Sequence, residues 1–79
     1  MKEKFYLHEF KWFDGEEFIT FNIVNFKPEK MEIEVAITNR GRITVTAYDL
    51  YEDENGLYFE YGCDYTKINI KDFKEVKDE

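Results

Sequence analysis

The 79-residue chain contains no serine and no glutamine, and it has a single cysteine and a single histidine. Without serine, a serine-based catalytic triad is excluded. One cysteine rules out a disulfide within the chain and is typical of a protein in a reducing compartment. One histidine and one cysteine also leave no conventional ligand set for zinc.

Long apolar runs and an excess of positive charge are missing as well. No segment approaches the roughly 18 apolar residues of a membrane-spanning helix, and the first residues, MKEKFYLHEFKWF, carry charges throughout, unlike a secretion signal. A net charge of −7 and a pI near 4.7 disfavour nucleic acid and anionic lipid as partners, because their phosphates attract clustered lysine and arginine. We therefore predict a cytoplasmic protein that binds neither a membrane nor nucleic acid directly.

Candidate catalytic and metal-binding residues are few. Cys63 could act as a nucleophile only beside His8, and the pattern predicts a buried packing thiol and a half-buried imidazole instead. The acidic segment DLYEDENG, residues 49–56, offers oxygen ligands without the spacing of a calcium-binding loop. The acidic residues fall in exposed phases or turns, where a carboxyl pKa raised by burial is not expected. We predict no catalytic residue, no metal site, no cofactor and no enzymatic activity.

Alternation of apolar and polar residues dominates the chain and helical spacing is nearly absent, which predicts strands joined as hairpins. The predicted hairpin turns are Asp14-Gly15, Asn39–Gly41 and Asn55-Gly56. Residues 66–70 predict a further strand, and residues 71–76, with Phe73 and Val76 three apart, predict one closing helical turn. The predicted fold is a single all-β domain spanning residues 1–79, in which an antiparallel meander of five to six strands forms a barrel or a sandwich.

The second hairpin predicts the core of the protein. With Gly41 in the left-handed position of a three-residue loop, three pairs of core side chains face one another: Ile37 with Ile43, Val35 with Val45, and Ile33 with Ala47. The third hairpin, however, has Tyr48 and Leu50 on its apolar face. These even-numbered residues would have to point inward directly after the odd-numbered Ile43, Val45 and Ala47. Because a period of two cannot satisfy both sets, we predict a bulge or bend near residues 47–49.

The third hairpin combines acidic and aromatic residues. Residues 47–65 contain no lysine or arginine and alternate aromatic side chains with carboxylates. One face of this ribbon is apolar, and the other predicts an acidic, tyrosine-bearing surface made of Asp49, Tyr51, Asp53, Tyr58, Glu60 and Asp64. This surface either serves solubility alone or binds a basic surface of another protein as a nucleic-acid mimic, with carboxylates in place of phosphates and tyrosines as rigid contact area.

Aromatic residues make up 19% of the chain, which is high for a core of this size. The first hairpin in particular has apolar residues on both faces, and only one face can belong to the core. The opposite face predicts a homodimer interface formed by Phe5, Leu7, Phe13, Phe18 and Val24.

The predicted function is that of a small, acidic, non-enzymatic binding protein. A composition rich in Lys, Glu, Ile, Phe, Tyr and Asn and poor in Ala is typical of AT-rich bacterial or phage genes. This favours a phage or mobile-element inhibitor that blocks a basic, nucleic-acid-binding site on a protein partner. The alternative is a structural or oligomer-forming subunit that packs through exposed aromatic residues and uses the acidic face only for solubility.

Overall fold

The computed structural model of the protein describes residues 8–75. Eight strands follow in chain order: β1 (His8–Phe13), β2 (Phe18–Lys27), β3 (Glu32–Asn39), β4 (Arg42–Asp49), β5 (Tyr51–Asp53), β6 (Gly56–Tyr61), β7 (Thr66–Asn69) and β8 (Lys74–Glu75). The helical elements in this part of the chain are two 3-10 turns, Pro28–Lys30 and Ile70–Asp72. The predicted all-β fold is confirmed, although the number of strands exceeds the predicted five to six.

The strands form two antiparallel sheets. The first has five strands in the order β4-β3-β2-β1-β8, and the second has three in the order β5-β6-β7. Strands β1 to β4 and β5 to β7 are each neighbours in chain order, as the predicted meander requires. The described strands do not close into a barrel, and the arrangement fits the predicted alternative of a small sandwich.

The core lies between the two sheets and receives side chains from both. Its buried residues are Ile19, Phe21, Ile23, Ile33, Val35, Ile37, Leu50, Phe59, Ile68 and Phe73. Phe21 of the first sheet and Phe59 of the second are fully buried, and their ring centroids lie 6.0 Å apart in an edge-to-face arrangement. This aromatic contact joins the two sheets at the centre of the molecule.

The second hairpin turns through two residues rather than three. Arg40 and Gly41 both have positive φ, at 55° and 78°, and Asn39 pairs with Arg42. Two consecutive residues with positive φ are typical of the tight hairpin turns whose twist matches that of the strands. The register therefore differs from the predicted one by a single residue.

A shift of one residue turns every side chain of β4 to the opposite face of the sheet. Ile43 and Val45 are each 59% exposed and Ala47 is also exposed, so their prediction as core residues is wrong. Their places on the inner face are taken by Thr44, Thr46 and Tyr48. The predicted partners on β3, namely Ile33, Val35 and Ile37, are buried as expected.

The bulge or bend predicted near residues 47–49 is not seen, because β4 pairs with β3 without interruption along its whole length. Once Tyr48 faces inward, Leu50 lies in the same phase, and the conflict that required a bulge disappears. At Leu50 the chain passes from the first sheet to the second. A bulge occurs instead in β2, where the register with β3 shifts around Val24.

The first and third hairpins keep their predicted faces although their turns differ from the predicted ones. Phe13 pairs with Phe18 across a four-residue loop, and Asp53 pairs with Gly56 across a two-residue turn. Both registers differ from prediction by two residues. Such a shift changes the partners but leaves each side chain on its predicted face.

The last described residues contain a short helical turn, as predicted, but it is the 3-10 turn Ile70–Asp72 rather than residues 71–76. The two-residue strand β8 follows and pairs with β1. Phe73, between them, is 7% exposed and lies in the core. Val76, which was predicted to share this turn, lies outside the described residues.

Candidate functional site

The six residues of the predicted acidic surface come from the end of β4 and from the three-stranded sheet. Asp49 ends β4, Asp64 lies in the turn before β7, and Tyr51, Asp53, Tyr58 and Glu60 lie on β5 and β6. The last four share the outer face of the small sheet, because strand residues alternate and Phe59 between them points into the core.

A surface groove of about 390 Å³ brings part of this set together. We name it the acidic groove, and its lining consists of Ala47, Tyr48, Asp49, Tyr51, Glu60, Gly62 and Tyr65. Three predicted residues, Asp49, Tyr51 and Glu60, belong to it, whereas Asp53, Tyr58 and Asp64 do not. Within residues 8–75, no lysine or arginine lines the groove. Two carboxylates beside tyrosine rings are suited to holding a cation.

Tyr65 is a groove residue that the sequence did not predict. It is 71% exposed, and its φ of 55° places it in the left-handed region, which is unusual for a bulky side chain. Its N–H donates a hydrogen bond to the carbonyl of Gly62 at 3.2 Å, closing the turn between β6 and β7. Strained backbone of this kind costs about 1–3 kcal/mol and clusters at binding sites. In the sequence, Gly62 was the residue that indicated a turn here, and with it an exposed position for the Tyr65 ring.

Lys67 occupies the other end of the predicted acidic surface. Its Nζ lies 3.4 Å from Oδ2 of Asp53 and 4.8 Å from the centroid of the Tyr58 ring. In the register of β6 and β7, the backbone of Lys67 lies opposite that of Glu60. Residues 47–65 contain no base, but Lys67 follows them in β7 and offsets the charge of Asp53.

The pKa of Asp53 is held below its usual value of 3.8. The main cause is the N–H of Asn55, which donates to Oδ1 of Asp53 at 2.8 Å, and Lys67 lowers the pKa further. Because the folded pKa is lowered, this carboxylate stabilises the fold fully above its unfolded pKa. The contribution is lost as the pH falls through the lower folded value.

Replacing Lys67 with methionine should raise the pKa of Asp53 while leaving it below 3.8, because the hydrogen bond from Asn55 remains. A titration of the carboxyl carbon signals by NMR would measure this. Lys71→Met, which removes an exposed lysine from the second 3-10 turn, serves as the control and should leave Asp53 unchanged. An unaltered Asp53 titration in Lys67→Met would mean that the ion pair does not form in solution.

Tyr48 forms one wall of the acidic groove and is half-buried. Its ring stacks on Phe59 with centroids 4.7 Å apart, so the groove rests on the core. Burial raises the pKa of the Tyr48 hydroxyl above 10.0, and Tyr61 nearby raises it further. At neutral pH this hydroxyl therefore keeps its proton and adds no negative charge to the groove.

The residues predicted for self-association lie partly on an exposed face. Phe13 is 51% and Phe18 66% exposed, and their rings, 4.9 Å apart, form a cross-strand pair at the end of the first hairpin. Val24 is half-buried at the bulge of β2. Phe5 and Leu7 lie outside the described residues.

Other chemistry-bearing residues are dispersed. Cys63 is exposed in the turn between β6 and β7, so its predicted role in core packing is wrong. His8 is half-buried in β1. Between residues 8 and 75, no three His, Cys, Asp or Glu side chains are grouped so that they could hold a metal ion. The same stretch has no helix with the length and apolar character needed to cross a membrane.

Any function assigned to the acidic groove has to come from its own geometry and chemistry. Comparison of the chain with protein-family models, with curated proteins and with solved structures gave no match.

Proposed function

We propose that the protein is a small, non-enzymatic binding module whose acidic groove accepts lysine or arginine side chains of a protein partner. The observation that carries this proposal is the joint presence of the Asp49 and Glu60 carboxylates and the Tyr51 and Tyr65 rings in one groove. A carboxylate gives charge-assisted hydrogen bonds to such a cation, and a tyrosine ring attracts it through its π-face. Arginine can use both at once because its guanidinium group is planar.

The small sheet itself contains an example of the proposed contact. Lys67 lies between the carboxylate of Asp53 and the ring of Tyr58, at 3.4 Å and 4.8 Å. This arrangement shows that a lysine fits between a carboxylate and a tyrosine on the outer face of β5 and β6. The acidic groove offers the same two kinds of group, from the small sheet and from the adjoining end of β4, and no lysine or arginine of residues 8–75 lines it.

The charge of the chain indicates which kind of protein partner would bind. A net charge of −7 would speed association with a basic protein and would make that association sensitive to salt. Basic protein surfaces that bind nucleic acid are natural targets, because carboxylates on a rigid sheet can replace phosphates. We therefore extend the proposal to an inhibitor encoded by a phage or mobile element and acting in the cytoplasm.

The test uses an arginine-rich peptide as the probe and the double variant Asp49→Asn, Glu60→Gln. Both substitutions keep the side-chain size nearly constant while removing the two groove charges. We expect the peptide Kd at low salt to rise at least about tenfold, because two charge-assisted contacts are lost. Isothermal titration gives the Kd, and NMR shifts of Tyr51 and Tyr65 locate the peptide.

The matched control is Glu16→Gln, Glu54→Gln, which removes two exposed carboxylates from turns outside the groove and changes the net charge equally. It should weaken the peptide only slightly. Equal weakening by both double variants would mean that overall charge, and not the groove, binds the peptide. The acidic face would then serve solubility alone.

Tyr65→Gly separates binding from stability. Glycine adopts positive φ without strain, and little packing is lost because Tyr65 is 71% exposed. The variant should be at least as stable as the natural protein, yet it should release the peptide faster because an aromatic contact is missing. Unchanged peptide dissociation would remove Tyr65 from the proposed site.

A second candidate function is that of a structural subunit that packs through exposed aromatic residues. The specific observation in its favour is the exposed Phe13–Phe18 pair, whose rings lie on the outer face of the five-stranded sheet. Phe18→Lys would place a charge in this pair, and loss of self-association in that variant would support this role.

A further inference from the structure

The four sheet edges in residues 8–75 differ in length and charge. β8 has two residues, β5 three and β7 four, and each contains at least one charged side chain. β4 has eight residues, and its interior, ITVTAY at positions 43–48, has no charge, no proline and no bulge. Short or charged edges resist further strand pairing, whereas a long uncharged edge invites it.

The backbone of β4 offers hydrogen-bonding groups on the side away from β3. Asn39 and Arg42 flank a two-residue turn and form a hydrogen-bonded pair, so even-numbered residues of β4 bond to β3. The N–H and C=O groups of Ile43, Val45 and Ala47 then point outward. Among the described strands, β4 has no neighbour on that side.

The side chains of β4 complement a second copy of the same strand. In an antiparallel pair with its two-fold axis at Val45, this residue lies opposite Val45 of the second copy, and Ile43 lies opposite Ala47. On the other face, Thr44 lies opposite Thr46 of the second copy. Pairs of β-branched residues stabilise neighbouring strands, and Ile43 and Val45 are each 59% exposed before pairing.

The charges at the two ends of β4 favour the same partner. The strand begins at Arg42, which follows Arg40, and ends at Asp49. Antiparallel pairing brings the basic end of one copy close to the acidic end of the other. The central residues carry no charge that would oppose this pairing.

We propose that β4 forms the interface of a symmetric homodimer, in which two β4 strands pair antiparallel and two five-stranded sheets become one continuous sheet. Two-fold pairing uses the outward N–H and C=O groups of β4 in both copies. No β4 edge then remains open, so assembly stops at the dimer. This interface differs from the predicted aromatic one and does not rest on the proposed peptide-binding function.

The test is sedimentation of the full chain over a range of micromolar concentrations, with Val45→Lys as the disrupting variant. The natural protein should sediment at about twice 9.6 kDa and dissociate on dilution. Val45→Lys places two lysines opposite each other at the two-fold axis, so its dimer Kd should rise at least about tenfold. A natural protein that stays at 9.6 kDa throughout would overturn the proposal.

Phe18→Lys is the matched control, because it also replaces an exposed apolar side chain of the same sheet with lysine. It should remain dimeric. Dissociation of Phe18→Lys together with an intact Val45→Lys dimer would overturn the proposal and assign the interface to the aromatic pair. A Val45→Lys protein as dimeric as the natural one would also overturn it.

Amide exchange of the natural protein tests the same interface without any substitution, which matters if Val45→Lys does not fold. The N–H groups of Ile43, Val45 and Ala47 should be protected at high concentration and should exchange quickly after dilution. Fast exchange at every concentration would show that nothing pairs with this edge. Protection that does not depend on concentration would show that the chain covers its own edge, and either result overturns the proposal.

Discussion

Replacing Phe59 with alanine is expected to lower the free energy of unfolding by about 3–5 kcal/mol. The side chain is fully buried, and its ring lies 6.0 Å from Phe21, 4.7 Å from Tyr48 and 6.4 Å from Phe73. Total stability for a chain of this length is about 4–12 kcal/mol. The cavity would therefore remove a large share of that stability and lower the urea concentration at the midpoint of unfolding.

Urea denaturation followed by the fluorescence of the single tryptophan, Trp12, gives the measurement. Trp12 is a suitable probe because its ring contacts Tyr61 of the second sheet, with centroids 5.8 Å apart. The control is Phe18→Ala, the same substitution at a side chain that is 66% exposed, and it should cost at most about 1 kcal/mol. Equal losses in the two variants would contradict a core shared by both sheets.

Side-chain hydrogen bonds within turns explain why two predicted registers differ from the observed ones. Oδ1 of Asp14 accepts the N–H groups of Glu16 and Glu17 at 2.8 Å and 2.9 Å, which stabilises a four-residue loop. Asp53 accepts the N–H of Asn55 in the third hairpin. Such local bonds compete with the two-residue turns that Asp14-Gly15 and Asn55-Gly56 predict. The sequence alone does not show which of the two turn geometries is more stable.

The phase of β4 was harder to predict, because either face of this strand could point inward. The alternatives place Ile43 and Val45, or Thr44 and Thr46, toward the second sheet, and all four residue types suit a strand. The two phases differ little in the apolar surface that β4 itself buries, since Thr44 is exposed even on the inner face. The observed phase is the one that buries Leu50 without a bulge.

The acidic groove shows the same limit of sequence information. The outer-face positions of Tyr51 and Glu60 follow from a period of two, and they were predicted. The positions of Tyr65 and Lys67 depend on how β7 pairs with β6 across a turn, which alternation within one strand cannot specify. The sequence therefore predicted which residues lie on this face. It did not predict that Tyr51 and Glu60 line a groove while Asp53 forms an ion pair with Lys67.

Replacing Leu50 with alanine is expected to lower the free energy of unfolding by about 2–5 kcal/mol and the Tm by at least about 10 °C. Leu50 connects β4 of the first sheet to β5 of the second, and it is 3% exposed. Its N–H donates to the carbonyl of Met31 at 2.8 Å. Alanine keeps that bond, so the loss measures the burial of the side chain alone.

Leu50→Met is the control for this substitution, because methionine keeps nearly the same volume and should cost less than about 1.5 kcal/mol. Amide signals of Val35 and Ile68, followed by NMR during heating, report on the first and second sheets separately. Both should disappear in one transition, since the second sheet has only three short strands and depends on the shared core. Loss of the Ile68 signal well before that of Val35 in Leu50→Ala would mean that the small sheet, and with it the acidic groove, unfolds on its own.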